Sequence, residues 1–357
     1  MGVYICNYLS MPYYARIIKL NRKSYCVLAS LQMFLLLALR ADTIDVDYPT
    51  YEAAFRFIST IDFSDMLSRI RIFRTARLPS PFDLESGWMA LNWLVSHMGF
   101  GYRSVMVLCA AINMYAVGKF VYKYSATPWL SFCIFESIGP YQYMFGVLRQ
   151  SLALSLVLLA VSAYYEKNRG RAFLLLAFAF FIHRTAILAV ILFLLISWNT
   201  ADKSIFKVSL FLWIPFVAIA PFLYNKLIVT VMSALGKGGY AGHAMQLNNM
   251  MLLLLLIGFL TILFYKFSNS STSMEKMFVW SVIVSIYWTT LGMFNDTLSR
   301  SKDYFAFFLA LEIPLVLFHC RPSRYAQYGR FAVFIMLLAY MVYSLNGSEL
   351  VPYAVCF

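Results

Sequence analysis

The chain has 357 residues, 62% hydrophobic and only 13% charged, where a soluble domain carries about 25% charged residues. Its apolar residues come in blocks near bilayer length, which excludes a soluble globule. The lack of alternating ten-residue strands excludes an outer-membrane barrel. The net charge of +13 reads as the positive-inside signal of an all-α polytopic membrane protein, not as a nucleic-acid footprint. Six cysteines without CxxC spacing predict neither a disulfide framework nor a thiolate metal site.

Residues 1–23 carry Arg16, Lys19, Arg22 and Lys23, which predicts a cytoplasmic N-terminus. No cleavable signal pattern follows. Segment 24–39 is the first predicted span and delivers Arg40 to the outer side. Residues 40–83 are polar, with Asp45, Asp47, Tyr51, Glu52, Asp62, Asp65 and several arginines. A helix from about 49 to 60 would place Tyr51, Phe55 and Ile58 on one stripe. This region reads as short amphipathic helices on the outer membrane face. Segment 84–98, with Glu85, Trp88 and Trp93, is short for a span and reads as interfacial or re-entrant. Residues 40–100 thus form one large periplasmic loop.

Segment 104–122 should then descend and 126–142 return. Segment 145–165 descends to the basic turn Glu166–Arg171. Arg149 to Tyr165 covers about 24 Å of helix, so Arg149 falls near the outer edge of the hydrocarbon. Segment 172–197 is expected to break into two half-helices at His183-Arg184, and broken membrane helices commonly mark a site. Segment 208–228 leads to a second outer loop, 229–249. Segments 250–266, 277–294, 304–318 and 331–345 complete about ten transmembrane helices in a single integral membrane domain, 1–357.

With this topology three polar regions share the outer face: loop 40–85, Arg149-Gln150 with His183-Arg184, and the turn from Asp296 to Tyr304. Singly, each has an ordinary reading. Arg149 or Arg300 could be an interface anchor, His183 a helix–helix hydrogen-bonding residue, and Asp47 and Glu85 loop carboxylates. Together they suit chemistry on a lipid diphosphate. Arginines match phosphate oxygens with planar, permanent charge and can stabilise a departing diphosphate without a metal. A carboxylate or histidine must stand within reach of the acceptor hydroxyl. Aromatics such as Tyr51, Trp88, Trp93 and Tyr304 can stack on sugar faces. No Walker loop or HExxH motif is present, and Asp45-Val46-Asp47 reads as a chance DxD on an outer loop.

The ordered set Arg40…Asp47…Tyr51, Glu85-Ser86-Gly87-Trp88, Leu148-Arg149-Gln150-Ser151-Leu152-Ala153, Phe181-Ile182-His183-Arg184-Thr185-Ala186 and Arg300…Tyr304-Phe305 resembles the EpsG-like branch of the Wzy-type polysaccharide polymerases. The resemblance runs over roughly 24–310. It implies a GT-C-like helical fold in the bacterial inner membrane, with the active site facing the periplasm. It further implies an enzyme of O-antigen, capsule or exopolysaccharide synthesis that moves a growing glycan from undecaprenyl diphosphate to the non-reducing end of a lipid-linked repeat unit. Arg149 and Arg300 would clamp the diphosphate, with Arg40 in support. Asp47 or Glu85 would be the base or orient the acceptor. His183 would hold the Arg149 region or contact the diphosphate, and Tyr51, Gln150, Arg184 and Tyr304 would bind substrate. No cofactor and no metal are implied. Besides the lipid-linked substrates and membrane lipid, a chain-length regulator is a candidate partner. The chain departs from the family pattern at Asp45 and Gly146, and the N-terminal span usual in the family is missing or degenerate before residue 24. The rival reading is a lipid-linked oligosaccharide transporter, which should show repeat symmetry and charges at mid-bilayer.

Overall fold

The computed structural model describes residues 1–356 except 45, 46, 73, 201, 225–248, 267–270, 295, 321 and 322. Among them the chain is helical, with isolated β-bridges Arg40–Val355 and Thr75–Glu85 and no strand. The second outer loop, 229–249, lies outside the described residues up to 248, as do Asp45 and Val46 of the DxD-like triplet. Among the described residues, three helices are long and apolar enough to cross a membrane: Tyr102–Tyr124, Leu148–Tyr165 and Ser323–Leu345. A bent pair, Lys203–Phe211 with Trp213–Leu223, makes a fourth if taken as one span. Such segments suit a membrane protein, since helices satisfy their own backbone groups in hydrocarbon.

The described residues form two compact units, Met1–Ile187 with Phe331–Phe357, and Leu188–Arg330. The first opens with α1 (Gly2–Arg16), in a stretch for which the sequence predicts no element. Tyr4, Asn7, Tyr8 and Met11 bury one helical stripe of it. The phenols of Tyr4 and Tyr8 donate to the carbonyls of Leu350 and Phe334, at 3.0 and 2.8 Å. Those partners lie more than 300 residues away, so hydropathy undervalues this helix.

Asn21 caps α2 (Arg22–Ala38) by accepting from the Ser24 amide. Beyond it, α3 (Tyr48–Ile58), α4 (Phe63–Arg69) and α5 (Ser86–His97) are short. At about 1.5 Å per residue α5 is about 18 Å long, below the reach of a span, in keeping with the interfacial reading. Next come α6 (Tyr102–Tyr124), α7 (Pro128–Ser137) and α8 (Pro140–Tyr143). The predicted single segment 126–142 is therefore broken before Pro140, which has no amide proton for a continuing helix.

The hairpin of α9 (Leu148–Tyr165) and α10 (Arg169–Ile182) packs along α6 and α5. Buried Asn113 of α6 is satisfied from α9, donating to Ser151 and accepting from Ser155. The break at His183 is present. That residue ends α10 with extended backbone, and a 3-10 stretch, Arg184–Ala189, follows.

The second unit holds α11 (Val190–Trp198), α12 (Lys203–Phe211), α13 (Trp213–Leu223), α14 (Asn249–Phe264), α15 (Ser273–Gly292), α16 (Asp296–Ser301), α17 (Asp303–Ala306) and α18 (Leu309–His319). Its hub is α15, which begins with a reciprocal capping box between Thr272 and Glu275. Thr290 of α15 accepts from the Trp213 indole at 2.8 Å, and Tyr287 donates to the Ser209 carbonyl at 2.8 Å. The last helix, α19 (Ser323–Leu345), enters the first unit at Phe331.

Candidate active site

The site starts from a glycine. A Cβ on Gly87 would lie 2.6 Å from the carbonyl carbon and oxygen of Phe181. Only glycine lets the backbones of α5 and α10 approach this closely. The contact sets the start of α5 beside the end of α10, so Glu85 and His183 become neighbours.

The segment before α5 is held in place as well. Ser86 Oγ accepts from the Arg71 amide and donates to its carbonyl, each at 2.8 Å. The Ala76 amide donates to the Leu84 carbonyl at 2.8 Å, beside the Thr75–Glu85 bridge. Glu85 stands at the N-cap position of α5, yet its side chain makes no cap hydrogen bond. The carboxylate turns toward α9 and α10 instead.

There it joins two residues. Arg149 Nη1 donates to Glu85 Oε2 at 2.5 Å, and His183 Nδ1 lies 3.0 Å from Glu85 Oε1. The Glu85 side chain is 3% exposed, that of His183 14% and that of Arg149 21%. Arg149 is fixed further: Nε donates to the Tyr51 hydroxyl at 3.1 Å, and Nη1 also donates to the Asp83 carbonyl at 3.0 Å. Its guanidinium lies over the Tyr51 ring, 5.5 Å from the centroid, and that ring packs 5.8 Å from Trp88. Burial first raises the Tyr51 phenol above its ordinary range. The nearby Arg149 charge works against this, while Asp47 and Glu85 add to it. Tyr51 thus stays a phenol. With Nδ1 facing a carboxylate, neutral His183 carries its proton on Nδ1 and a lone pair on Nε2. A cation, a carboxylate and an imidazole, drawn from three helices, meet here with partial access to solvent.

Residues 23–355 match the EpsG family model. The chain belongs to the EpsG family. No curated protein and no solved structure matches it. EpsG membership points to polysaccharide biosynthesis, with a glycosyltransferase-like polymerase as the activity.

Of the residues that the sequence singles out, Glu85, Arg149, His183 and Tyr51 of this EpsG protein come together. Asp47, half-buried, precedes α3 and acts on Tyr51 through its charge. Gln150 is buried one residue after Arg149 in α9, and Arg184 is half-buried one residue after His183. Arg40 is fully buried. Its guanidinium donates to the Leu37 carbonyl at 2.5 Å and lies over the Phe145 ring. Arg300 and Tyr304 belong to the second unit: Arg300 is exposed in the last turn of α16, and Tyr304 is fully buried in α17. Sequence reasoning misses the Asp83 carbonyl and the Ser86–Arg71 clasp, because a backbone partner leaves no mark in side-chain identity. Among the described residues, no three His, Cys, Asp or Glu side chains are placed to hold a metal ion.

Proposed function

We propose that this EpsG-family chain is the polymerase that joins lipid-linked repeat units of O-antigen, capsule or exopolysaccharide on the periplasmic face of the bacterial inner membrane. About ten passes in a GT-C-like arrangement would carry the site. The observation behind this reading is the single carboxylate of Glu85 shared between Arg149 and His183.

In the reaction, the acceptor is the hydroxyl at the non-reducing end of the new repeat unit. His183 Nε2, its ring oriented by Glu85, takes the hydroxyl proton as the oxygen attacks the anomeric carbon of the growing chain. The bond from that carbon to the diphosphate breaks, and undecaprenyl diphosphate leaves with the electron pair. Arg149 meets the charge that builds on the diphosphate, held in position by Tyr51 and the Asp83 carbonyl. Arg300 is proposed as a second phosphate contact, and Asp47 as an acceptor-orienting carboxylate. Gln150 and Arg184, beside Arg149 and His183, are proposed to bind sugars and lipid phosphate, with Tyr51 behind Arg149; Trp88 and Tyr304 are buried too fully to stack on a sugar. In this reading arginine charge meets the leaving group, so no metal is required. A chain-length regulator is a proposed partner.

The test uses purified protein in detergent with synthetic undecaprenyl-diphosphate repeat unit, in EDTA and without nucleotide. The expected result is a ladder of longer glycans that Arg149→Ala abolishes at equal protein level, a loss of about 10²-fold or more. A ladder unchanged by Arg149→Ala overturns the assignment of Arg149. Lipid movement between leaflets in proteoliposomes without any ladder overturns the polymerase reading in favour of a transporter.

A further inference from the structure

A groove between α2 and α6 lies outside the site described above. Its volume is about 430 Å³. The apolar part is walled by Val27, Leu31 and Phe34 from α2 and by Ala111 and Met114 from α6. Val27 is 60% exposed and Leu31 49%, and both lie in segment 24–39, which the sequence reads as the first span. The groove exists because the two helices touch below it. A Cβ on Gly118 would meet Ser30 Oγ at 2.1 Å, so the backbones close together there and leave a trough above.

The charged residues of the groove lie at one end only. Lys23, in the first turn of α2, and Lys119, near the end of α6, both line it there. Lys119 donates to the Tyr115 hydroxyl at 3.3 Å and lies over that ring. Among the described residues, no carboxylate lies within ion-pair distance of either lysine. The neighbouring cations are already engaged. Arg22 donates to the carbonyls of Tyr122, Val121 and Ser125 at the end of α6. Lys123 is ion-paired with Glu166. From Lys23 to Phe34 the trough runs for about 16 Å of helix, the scale of an acyl chain. By the positive-inside reading this lysine end faces the cytoplasm.

We propose that this groove holds one anionic glycerophospholipid of the cytoplasmic leaflet. Its headgroup phosphate sits between Lys23 and Lys119, and one acyl chain lies along Val27, Leu31, Phe34, Ala111 and Met114. The charge at one end selects the headgroup, since each lysine near an anionic lipid surface is worth about fivefold in binding. The apolar trough alone would accept any lipid tail. The lipid is distinct from the diphosphate-linked substrate, whose proposed site lies around Glu85 and Arg149.

Native mass spectrometry of the purified full chain, titrated with phosphatidylglycerol or phosphatidylcholine, reads this directly. One phosphatidylglycerol should bind about 25-fold more tightly than phosphatidylcholine, about fivefold from each lysine. The double variant K23Q/K119Q should lose that preference, and A111W, which fills the trough, should lose the bound lipid of either kind. Melting temperature and elution volume identify variants that keep the fold, and Lys23 and Ala111 are exposed enough to change without disturbing the core. Equal binding of the two lipids by the native protein overturns the proposal. So does a preference unchanged in K23Q/K119Q. Competition by inorganic phosphate without lipid binding assigns the lysines to a free anion and overturns it too.

Discussion

Glu85 and Glu136 are both buried carboxylates of the first unit, 2% and 1% exposed, yet they have opposite surroundings. Glu85 sits where a helix starts and is met by a guanidinium and an imidazole from two other helices. Glu136 is shut inside α7 near Tyr4, Tyr8 and Tyr141, with Asn7 beside it. Asn7 is the polar side chain that faces its carboxyl, and no cation is ion-paired with it among the described residues. Burial alone therefore does not make a carboxylate part of a site. What distinguishes Glu85 is that packing delivers a compensating cation and a titratable ring to the same two oxygens. An uncompensated buried charge costs several kcal/mol, whereas a paired one can be held in place for chemistry.

The contrast can be broken first at Glu85. Glu85→Gln keeps the shape and removes the charge that orients His183 and offsets Arg149. Polymer formation should fall about 10²-fold or more, measured as ladder formation at fixed protein concentration. Unchanged turnover would remove Glu85 from the mechanism and put it on a par with Glu136. The scaffold comes next. Gly87→Ala forces α5 away from Phe181, where the new methyl would sit 2.6 Å from backbone atoms. Such overpacking costs about 1–3 kcal/mol. A lowered melting temperature should come with loss of turnover, because Glu85 and His183 separate.

A smaller effect is expected at Tyr51. Tyr51→Phe keeps the ring under the Arg149 guanidinium and removes the hydroxyl that accepts from Nε. One hydrogen bond to a charged group is worth about 1.5–3 kcal/mol, so turnover should drop about tenfold while the fold persists. The smallest effect belongs to Glu136→Gln. A buried carboxyl without a cation takes up a proton instead of keeping its charge, so the change exchanges one neutral group for another and should leave turnover within about twofold and the melting temperature little changed. A large loss of turnover there would show that a carboxylate can serve the reaction without a cation beside it, and the comparison would fail.

The helix break at His183 was legible because a histidine and an arginine interrupt a long apolar run, and that signal is local. The shortness of α5 was legible from the length of its apolar segment, 84–98. Helix α1 was not, because its buried tyrosines are polar by composition and become core residues only through carbonyls at the far end of the chain. Segment 126–142 reads as one span, yet it breaks before Pro140 within an otherwise apolar stretch.

The sequence by itself determined the membrane class, the family-like order of Glu85, Arg149 and His183, and the chemistry those side chains carry. These follow from composition, hydropathy and residue type, which need no neighbours. Only the tertiary structure decided that one carboxylate holds both the arginine and the histidine, across separations of 64 and 98 residues. It also decided that Tyr51 props the arginine, while Arg40 is buried against Phe145. The physical reason is that periodicity specifies which face of a helix is apolar, not which helix it meets. Here that choice rests on a backbone approach at Gly87, which becomes visible only once Phe181 lies against it.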